Sequence, residues 1–198
     1  MSDKMQVLYI EQTGHILAAF TRVADADSLT DIKTILGDGL LVHNLKSIPS
    51  AAGTAGETLF VPLDQLKVKV VKLNPGAFFA PLGFVVNGGE ASELGNVKPS
   101  TPSLTVNDIK ITITTAVSEA TNVWVQIQEN NPPPGDEPKR RVMSGQITPV
   151  SSTSTGKDVT LTLRLRPNSP PASIPKKEFD ILALVAGEKP LFARLTPP

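Results

Sequence analysis

Side chains of alternating polarity dominate the second half of this 198-residue chain. The alternation is clearest in two runs that place apolar residues at every second position: Ile109, Ile111 and Ile113, then Val159, Leu161, Leu163 and Leu165. Because successive side chains of a strand point to opposite faces, each run forms one apolar face and one polar face. This pattern predicts antiparallel β-sheet that packs on one side.

Six segments after residue 103 carry this pattern, and turn-rich stretches separate them. They cover residues 104–115, 121–128, 140–148, 158–166, 178–186 and 190–196. Their number and spacing predict an immunoglobulin-like antiparallel β-sandwich over residues 104–198. The cysteine pair and tyrosine corner of antibody domains are missing, so the likeness is one of architecture and not of family.

The first part of the chain, residues 1–87, also predicts β-structure. Strands are expected at 7–10 and 16–23, joined by a turn at Gly14, and further strands at 40–45, 58–61, 66–73 and 78–86. The alternation slips at Val70-Val71, which predicts a β-bulge there. Residues 28–36 predict a short helix, with Ser28 as its N-cap and Gly37 after its last turn. We therefore expect a small sheet or barrel with one short helix.

Residues 88–103 separate these two regions. They contain glycines and prolines with hardly any apolar residue and no periodicity. Such a composition is typical of a linker. The sequence thus predicts a mainly β chain of two β-rich domains, 1–87 and 104–198.

The composition narrows the classes of function. There is no cysteine, and the only histidines, His15 and His43, are isolated in the sequence. We therefore expect no metal site, no cofactor and no catalytic residue, and hence a protein that is not an enzyme. A net charge of +0 offers nothing that would attract nucleic acid or an anionic membrane. Without a signal peptide or an apolar span at the N-terminus, a cytoplasmic location is expected.

Trp124 occupies an unexpected position in its strand. Val123, Val125 and Ile127 form the apolar face, which leaves Trp124 with Gln126 and Gln128 on the other face. A tryptophan beside amides on an exposed sheet face can stack on a sugar ring or anchor a protein partner. It can also fold over the sheet edge or pack against the first domain.

The segment 179–186 is apolar at both phases of the strand. Ile181, Ala183 and Val185 alternate with a second apolar set that contains Leu182 and Leu184. A strand that is apolar on both faces needs cover on both, and a two-sheet domain supplies only one. The second cover would be the first domain or a partner subunit, which makes Leu182 and Leu184 candidate interaction residues.

These observations favour a non-enzymatic structural or adaptor subunit of a larger assembly, such as a phage-like or tail-like particle. It would contact other protein subunits, further copies of itself included, through sheet edges and loops. The alternative is a carbohydrate-binding β-module that uses the Trp124 face.

Overall fold

The computed structural model describes residues 4–21, 36–43, 58–94, 103–107, 110–116, 119–130, 134–148, 158–164 and 178–195. Within these residues the chain is mainly β. The strands are β1 (Lys4–Tyr9), β2 (Ile16–Thr21), β3 (Gly39–His43), β4 (Thr58–Pro62), β5 (Lys67–Lys72), β6 (Phe84–Asn87), β7 (Glu90–Glu93), β8 (Ser103–Asn107), β9 (Lys110–Ala116), β10 (Thr121–Glu129), β11 (Arg140–Ile147), β12 (Asp158–Arg164), β13 (Phe179–Val185) and β14 (Leu191–Leu195). One short α-helix, α1 (Gly76–Phe79), and two 3-10 turns complete the described elements. No described helix has the length and apolar character that a membrane crossing requires.

The chain divides into two compact units. Unit 1 comprises Met1–Val97 and Ala186–Pro190, and unit 2 comprises Lys98–Val185 and Leu191–Pro198. The short segment between β13 and β14 therefore belongs to unit 1. The unit boundary lies within the predicted linker 88–103, but β7 forms at Glu90–Glu93, so the linker prediction is wrong for those residues. Glu90–Glu93 pairs with β6 in a tight hairpin, whose turn contains Gly88 at φ 58°.

Unit 1 contains a five-stranded sheet in the order β2-β1-β5-β7-β6. β1 and β2 form the predicted hairpin, and Gly14 in its turn has the positive φ, 75°, that glycine adopts at little cost. The sheet is mainly antiparallel, and β5 meets β7 in parallel. Its described strands leave β2 and β6 as edges, so unit 1 has an open sheet and not the barrel that the prediction allowed.

One hydrophobic cluster of unit 1 lies on one face of this sheet. Met5 and Val7 of β1 contribute to it at every second position, as the two-residue period requires, and Leu8 on the other face of β1 is also buried. Its buried members are Met5, Val7, Ile16, Val71, Ala77, Phe84 and Ala91. Tyr9, Ala19, Phe78 and Val86 pack around them.

The apolar run 78–86 does not form the single strand that its composition predicts. Asn74 Oδ1 accepts a hydrogen bond from the Gly76 N–H (3.1 Å), and the Asn74 carbonyl accepts one from the Ala77 N–H (3.1 Å). These bonds begin α1, a 3-10 turn follows at Pro81–Gly83, and only Phe84–Asn87 is strand. Proline and glycine interrupt a strand ladder, so the run is divided where they occur.

The predicted β-bulge at Val70-Val71 is also wrong. β5 pairs with β1 in unbroken register from Lys67 to Lys72, and the irregularity lies in β1, between Leu8 and Tyr9 opposite β2. Val71 is buried and Val70, which points to the other face, is half-buried. Adjacent apolar residues need no slip in register when both faces of a strand are at least partly covered.

β3 and β4 form a separate two-stranded sheet in unit 1. Val42, Leu59 and Val61 share its buried face, while the pair Leu41 and Phe60 lies on the other face. The Phe60 ring lies so close to Gly39 that a Cβ on Gly39 would meet its Cζ at 2.5 Å. The helix predicted at 28–36 lies outside the described residues apart from Leu36, which is helical.

Unit 2 contains two antiparallel sheets. One has four strands in the order β11-β10-β13-β14, and the other has three in the order β12-β9-β8. The predicted strand 104–115 is two strands, β8 and β9, which pair with each other. The core contains Val123, Val125, Ile127, Ile147, Ile181, Ala183 and Val185 from the larger sheet, together with Ile113 from the smaller one.

Candidate interaction surfaces

The residues predicted to interact share one face of the four-stranded sheet. Strands β10 and β13 are neighbours, and their register places Trp124 opposite Leu184 and Gln126 opposite Leu182. Gln128 extends the same face by one further row, opposite Asp180. We call the set Trp124, Gln126, Gln128, Leu182 and Leu184 the Trp124 face. The two-residue period of the sequence was therefore a sound guide to which side chains lie together.

The Trp124 face is buried, so of the alternatives for Trp124 the exposed sheet face is wrong. Trp124, Gln126, Leu182 and Leu184 are each 0% exposed, and only Gln128 is partly accessible. The sheet is thus covered on both faces along β10 and β13. A sugar ring cannot stack on an indole that solvent does not reach, so the ground for the carbohydrate alternative is lost.

The Trp124 indole brings a polar atom into this buried layer. Its Nε1 is buried, and no hydrogen-bond partner for it lies among the described residues. A buried donor without a partner costs about 1–3 kcal/mol, so packing of the large ring must offset this cost. Trp124 is therefore placed as a core residue of the face, and its contact with another chain stays a prediction.

A row of polar side chains crosses the sheet at one end of the Trp124 face. The register aligns Arg140, Gln128, Asp180 and Arg194 on β11, β10, β13 and β14. Arg194 donates two hydrogen bonds to the Asp180 carboxylate, from Nε to Oδ1 at 2.7 Å and from a terminal nitrogen to Oδ2 at 3.3 Å. Arg140 Nε donates to Gln128 Oε1 at 3.3 Å.

The Asp180–Arg194 pair was not predicted from the sequence. Asp180 is buried, and the planar guanidinium satisfies its two oxygens in the bidentate geometry that makes such pairs strong. The sequence did contain a signal for the pair, because β13 carries one acidic residue and β14, the next strand of the hairpin, carries one basic residue. Only the hairpin register shows that they face each other.

His15 is the second buried polar site. It is 0% exposed, although the sequence places it in a turn beside Gly14. Its Nδ1 lies 3.0 Å from Thr13 Oγ1, and its Nε2 lies 2.8 Å from the carbonyl oxygen of Glu188, both within unit 1. Burial lowers the pKa of His15 to about 4, and hydrogen bonding to the backbone of Glu188 and of Thr13 opposes part of that shift. The side chain of His43 lies outside the description.

Unit 1 also exposes apolar side chains on regular structure. Phe79 in α1 is 84% exposed, Leu41 in β3 is 58% exposed and Leu73 at the end of β5 is 40% exposed. No group of three or more His, Asp or Glu residues within the described part of the chain could hold a metal ion. None of these three exposed side chains belongs to the Trp124 face, and the sequence did not single them out.

Comparisons with known proteins add no family. No protein-family model matches the chain, and neither the curated proteins nor the solved structures contain a match.

Proposed function

We propose that this chain is a non-enzymatic structural or adaptor subunit of a larger, cytoplasmic protein assembly, and that it contacts other subunits, including copies of itself. The observation that carries the proposal is the exposure of Phe79 and Leu41 on ordered elements of unit 1. Exposed aromatic and aliphatic side chains in fixed positions act as anchors when another surface covers them.

The surroundings of Phe79 keep it in place. Ala77 and Phe78, its neighbours in α1, belong to or pack against the unit 1 core. Asn74 Oδ1 accepts a hydrogen bond from the Gly76 N–H at the start of α1, and Asn74 Nδ2 donates to the Ala91 carbonyl at 3.0 Å. Because the helix is held on one side, the Phe79 ring stays on the other, and association would cost little conformational entropy.

Edge strands offer a second means of contact. Among the described strands, β2 has a single neighbour within the five-stranded sheet, as have β11 and β14 in the larger sheet of unit 2, whereas His15 already bridges β6 at Val85. The outer N–H and C=O groups of an edge strand can pair with a strand of another chain. β11 is the longest of these edges, with eight residues, and begins with the charged pair Arg140 and Arg141.

Sedimentation equilibrium over a range of concentrations tests the proposal. Phe79→Ser should weaken self-association by roughly thirtyfold, since burying a phenylalanine contributes about 2 kcal/mol. Leu41→Ser should weaken it less because that side chain is already half-covered. Phe79→Leu, which keeps an apolar anchor, is the matched control and should retain most of the association. A wild-type chain that sediments as a monomer at every accessible concentration contradicts the self-association part of the proposal.

We also infer that unit 2 is an immunoglobulin-like sandwich. If β8 to β14 are strands A to G, its sheets have the orders E-B-A and D-C-F-G. The constant-type immunoglobulin domain pairs A, B, E and D in one sheet and C, F and G in the other. The fourth strand thus joins the opposite sheet here, and the shared core position of Ile113 supports packing of the two sheets face to face.

A further inference from the structure

The environment of His15 determines which ring nitrogen carries the proton. A carbonyl oxygen can only accept a hydrogen bond, so Nε2 must donate to Glu188 across the 2.8 Å separation. Nδ1 of the neutral ring then accepts, and the Thr13 hydroxyl donates to it at 3.0 Å. Both nitrogens are satisfied, and the neutral imidazole is suited to its buried position.

Backbone contacts hold the residues around the ring. The Ile10 N–H donates to the His15 carbonyl at 3.0 Å, and the Val86 N–H donates to the Gly14 carbonyl at 2.8 Å. His15 itself forms an isolated bridge with Val85. The backbone that carries the ring is therefore held beside β1, β2 and β6. The atom that the ring binds belongs to a turn 173 positions later in the chain.

No carboxylate among the described residues forms an ion pair with the His15 ring. The charged residues of the segments next to it are Glu11, Glu188 and Lys189, while Val85 and Val86 of β6 carry no charge. Glu11 pairs with Lys67 at 3.9 Å, Glu188 offers its backbone carbonyl to the ring, and the Lys189 residue is exposed. A buried cation without a carboxylate partner is unfavourable, and the ring gains solvation when the segment that it binds moves away.

We propose that His15 is an acid-sensitive latch for the segment Ala186–Pro190, which it holds through Glu188 when neutral and releases when protonated. Release breaks the Nε2–Glu188 hydrogen bond and frees a segment with Gly187 at φ 80°, without requiring the strands of unit 1 to separate. The device is a histidine switch in which the moving element is this one short segment.

The sign of the pH dependence follows from the lowered pKa. The latched ring has a pKa of about 4, and a released ring has the ordinary value of 6.5. The released state therefore binds the proton more readily, and latching is strongest above pH 6.5. Its strength falls as the pH drops from 6.5 toward 4, so that the equilibrium constant for release rises roughly 30-fold between about pH 7.5 and about pH 5.

A single introduced thiol can measure this release, because the chain has no native cysteine. Ala186→Cys places the thiol on the half-buried first residue of the segment. Its reaction rate with a dipyridyl disulfide is divided by the rate of an exposed reference thiol, Glu137→Cys in a second sample, so that the chemistry of the reagent cancels. The ratio should rise by up to roughly 30-fold over that pH range while far-UV circular dichroism stays native.

His15→Gln is the matched control. The glutamine amide can still donate to the Glu188 carbonyl but has no proton to gain, so the rate ratio should become independent of pH. If that variant fails to fold, ¹⁵N NMR of the wild-type imidazole replaces it and should show an Nε2-protonated ring that titrates together with the thiol. An equal rise in His15→Gln, an unchanged ratio at pH 5, or a rise that occurs only with global unfolding overturns the proposal.

Discussion

Strand β13 and helix α1 are both rich in apolar residues, yet they are buried to different degrees. β13 is buried at Asp180–Val185, with Ile181, Ala183 and Val185 in the unit 2 core and Leu182 and Leu184 on the Trp124 face. α1 buries Ala77 and packs Phe78 against the unit 1 core, but it leaves Phe79 almost fully exposed. Apolar character on both sides of an element therefore does not determine whether both sides are covered.

This difference separates two roles for an apolar side chain. A residue covered within its own chain contributes to folding, and its loss lowers the free energy of unfolding. A residue left mostly exposed contributes little to folding and is available to contact another surface. By this criterion β13 is a core strand, and α1 carries the better candidate for an intermolecular contact.

The largest effect is expected in β13. The double substitution Leu182→Ser and Leu184→Ser should lower the free energy of unfolding by at least about 5 kcal/mol, because it removes two fully buried side chains and inserts hydroxyls. The sequence alone predicts that these substitutions weaken assembly or domain docking more than they weaken the fold of the second domain. Urea denaturation of the full chain measures the change, and Leu41→Ser with Leu73→Ser is the matched exposed pair, expected to cost less than about 1 kcal/mol. Similar costs for the two double variants would show that β13 is not covered on both faces.

An intermediate effect is expected at the charged residue of β13. Asp180→Asn should cost about 3 kcal/mol, since it leaves the half-buried Arg194 guanidinium without its bidentate carboxylate. Glu90→Gln is the control: the Lys72–Glu90 pair is exposed, its atoms are 3.8 Å apart, and its loss should cost less than about 0.5 kcal/mol. Thermal unfolding of both variants at low and high salt distinguishes them. If Asp180→Asn lowered the free energy of unfolding as little as Glu90→Gln, and if that effect depended on salt, the Asp180–Arg194 pair would behave as a surface ion pair.

The smallest effect is expected within α1, where adjacent phenylalanines have different environments. Phe78→Ser should cost about 2 kcal/mol, because that ring packs against the unit 1 core. Phe79→Ser should change the free energy of unfolding by less than about 0.5 kcal/mol in dilute solution. Denaturation at a concentration below the onset of association compares them directly, and equal costs would falsify the distinction between a covered and an exposed side of the helix.

Much of the strand pattern could be predicted from the alternation of side chains. β10, β11, β13 and β14 begin and end within one or two residues of their predicted positions, and Gly14 has the positive φ that its hairpin turn requires. The apolar run 78–86 and the pair Val70-Val71 differ from their predicted structures because local composition alone does not determine a strand or a bulge. In the run 78–86, the hydrogen bond of Asn74 and the ring of Pro81 favour helical turns over a continuous strand. At Val70-Val71, cover on both sides of β5 lets two adjacent apolar residues pair without a bulge.

The candidate sites were predicted less well. The grouping of Trp124, Gln126, Leu182 and Leu184 on one face followed from the two-residue period, whereas their burial did not. The sequence places His15 in a turn with a structural or surface role and indicates no partner for it, because the carbonyl that it binds lies far along the chain. No spacing rule connects a turn residue with a partner that is 173 positions away.

What the sequence determined by itself is the side of each strand on which a side chain lies, since that depends only on the two-residue period of an extended backbone. What the tertiary structure alone decided is whether that side is covered, and by what. In the folded chain the Trp124 face is buried, and Asp180 lies opposite Arg194. His15 is buried beside Glu188, and Phe79 is exposed to solvent. Burial and charge pairing depend on residues brought together from distant parts of the chain, and no local pattern records which residues those will be.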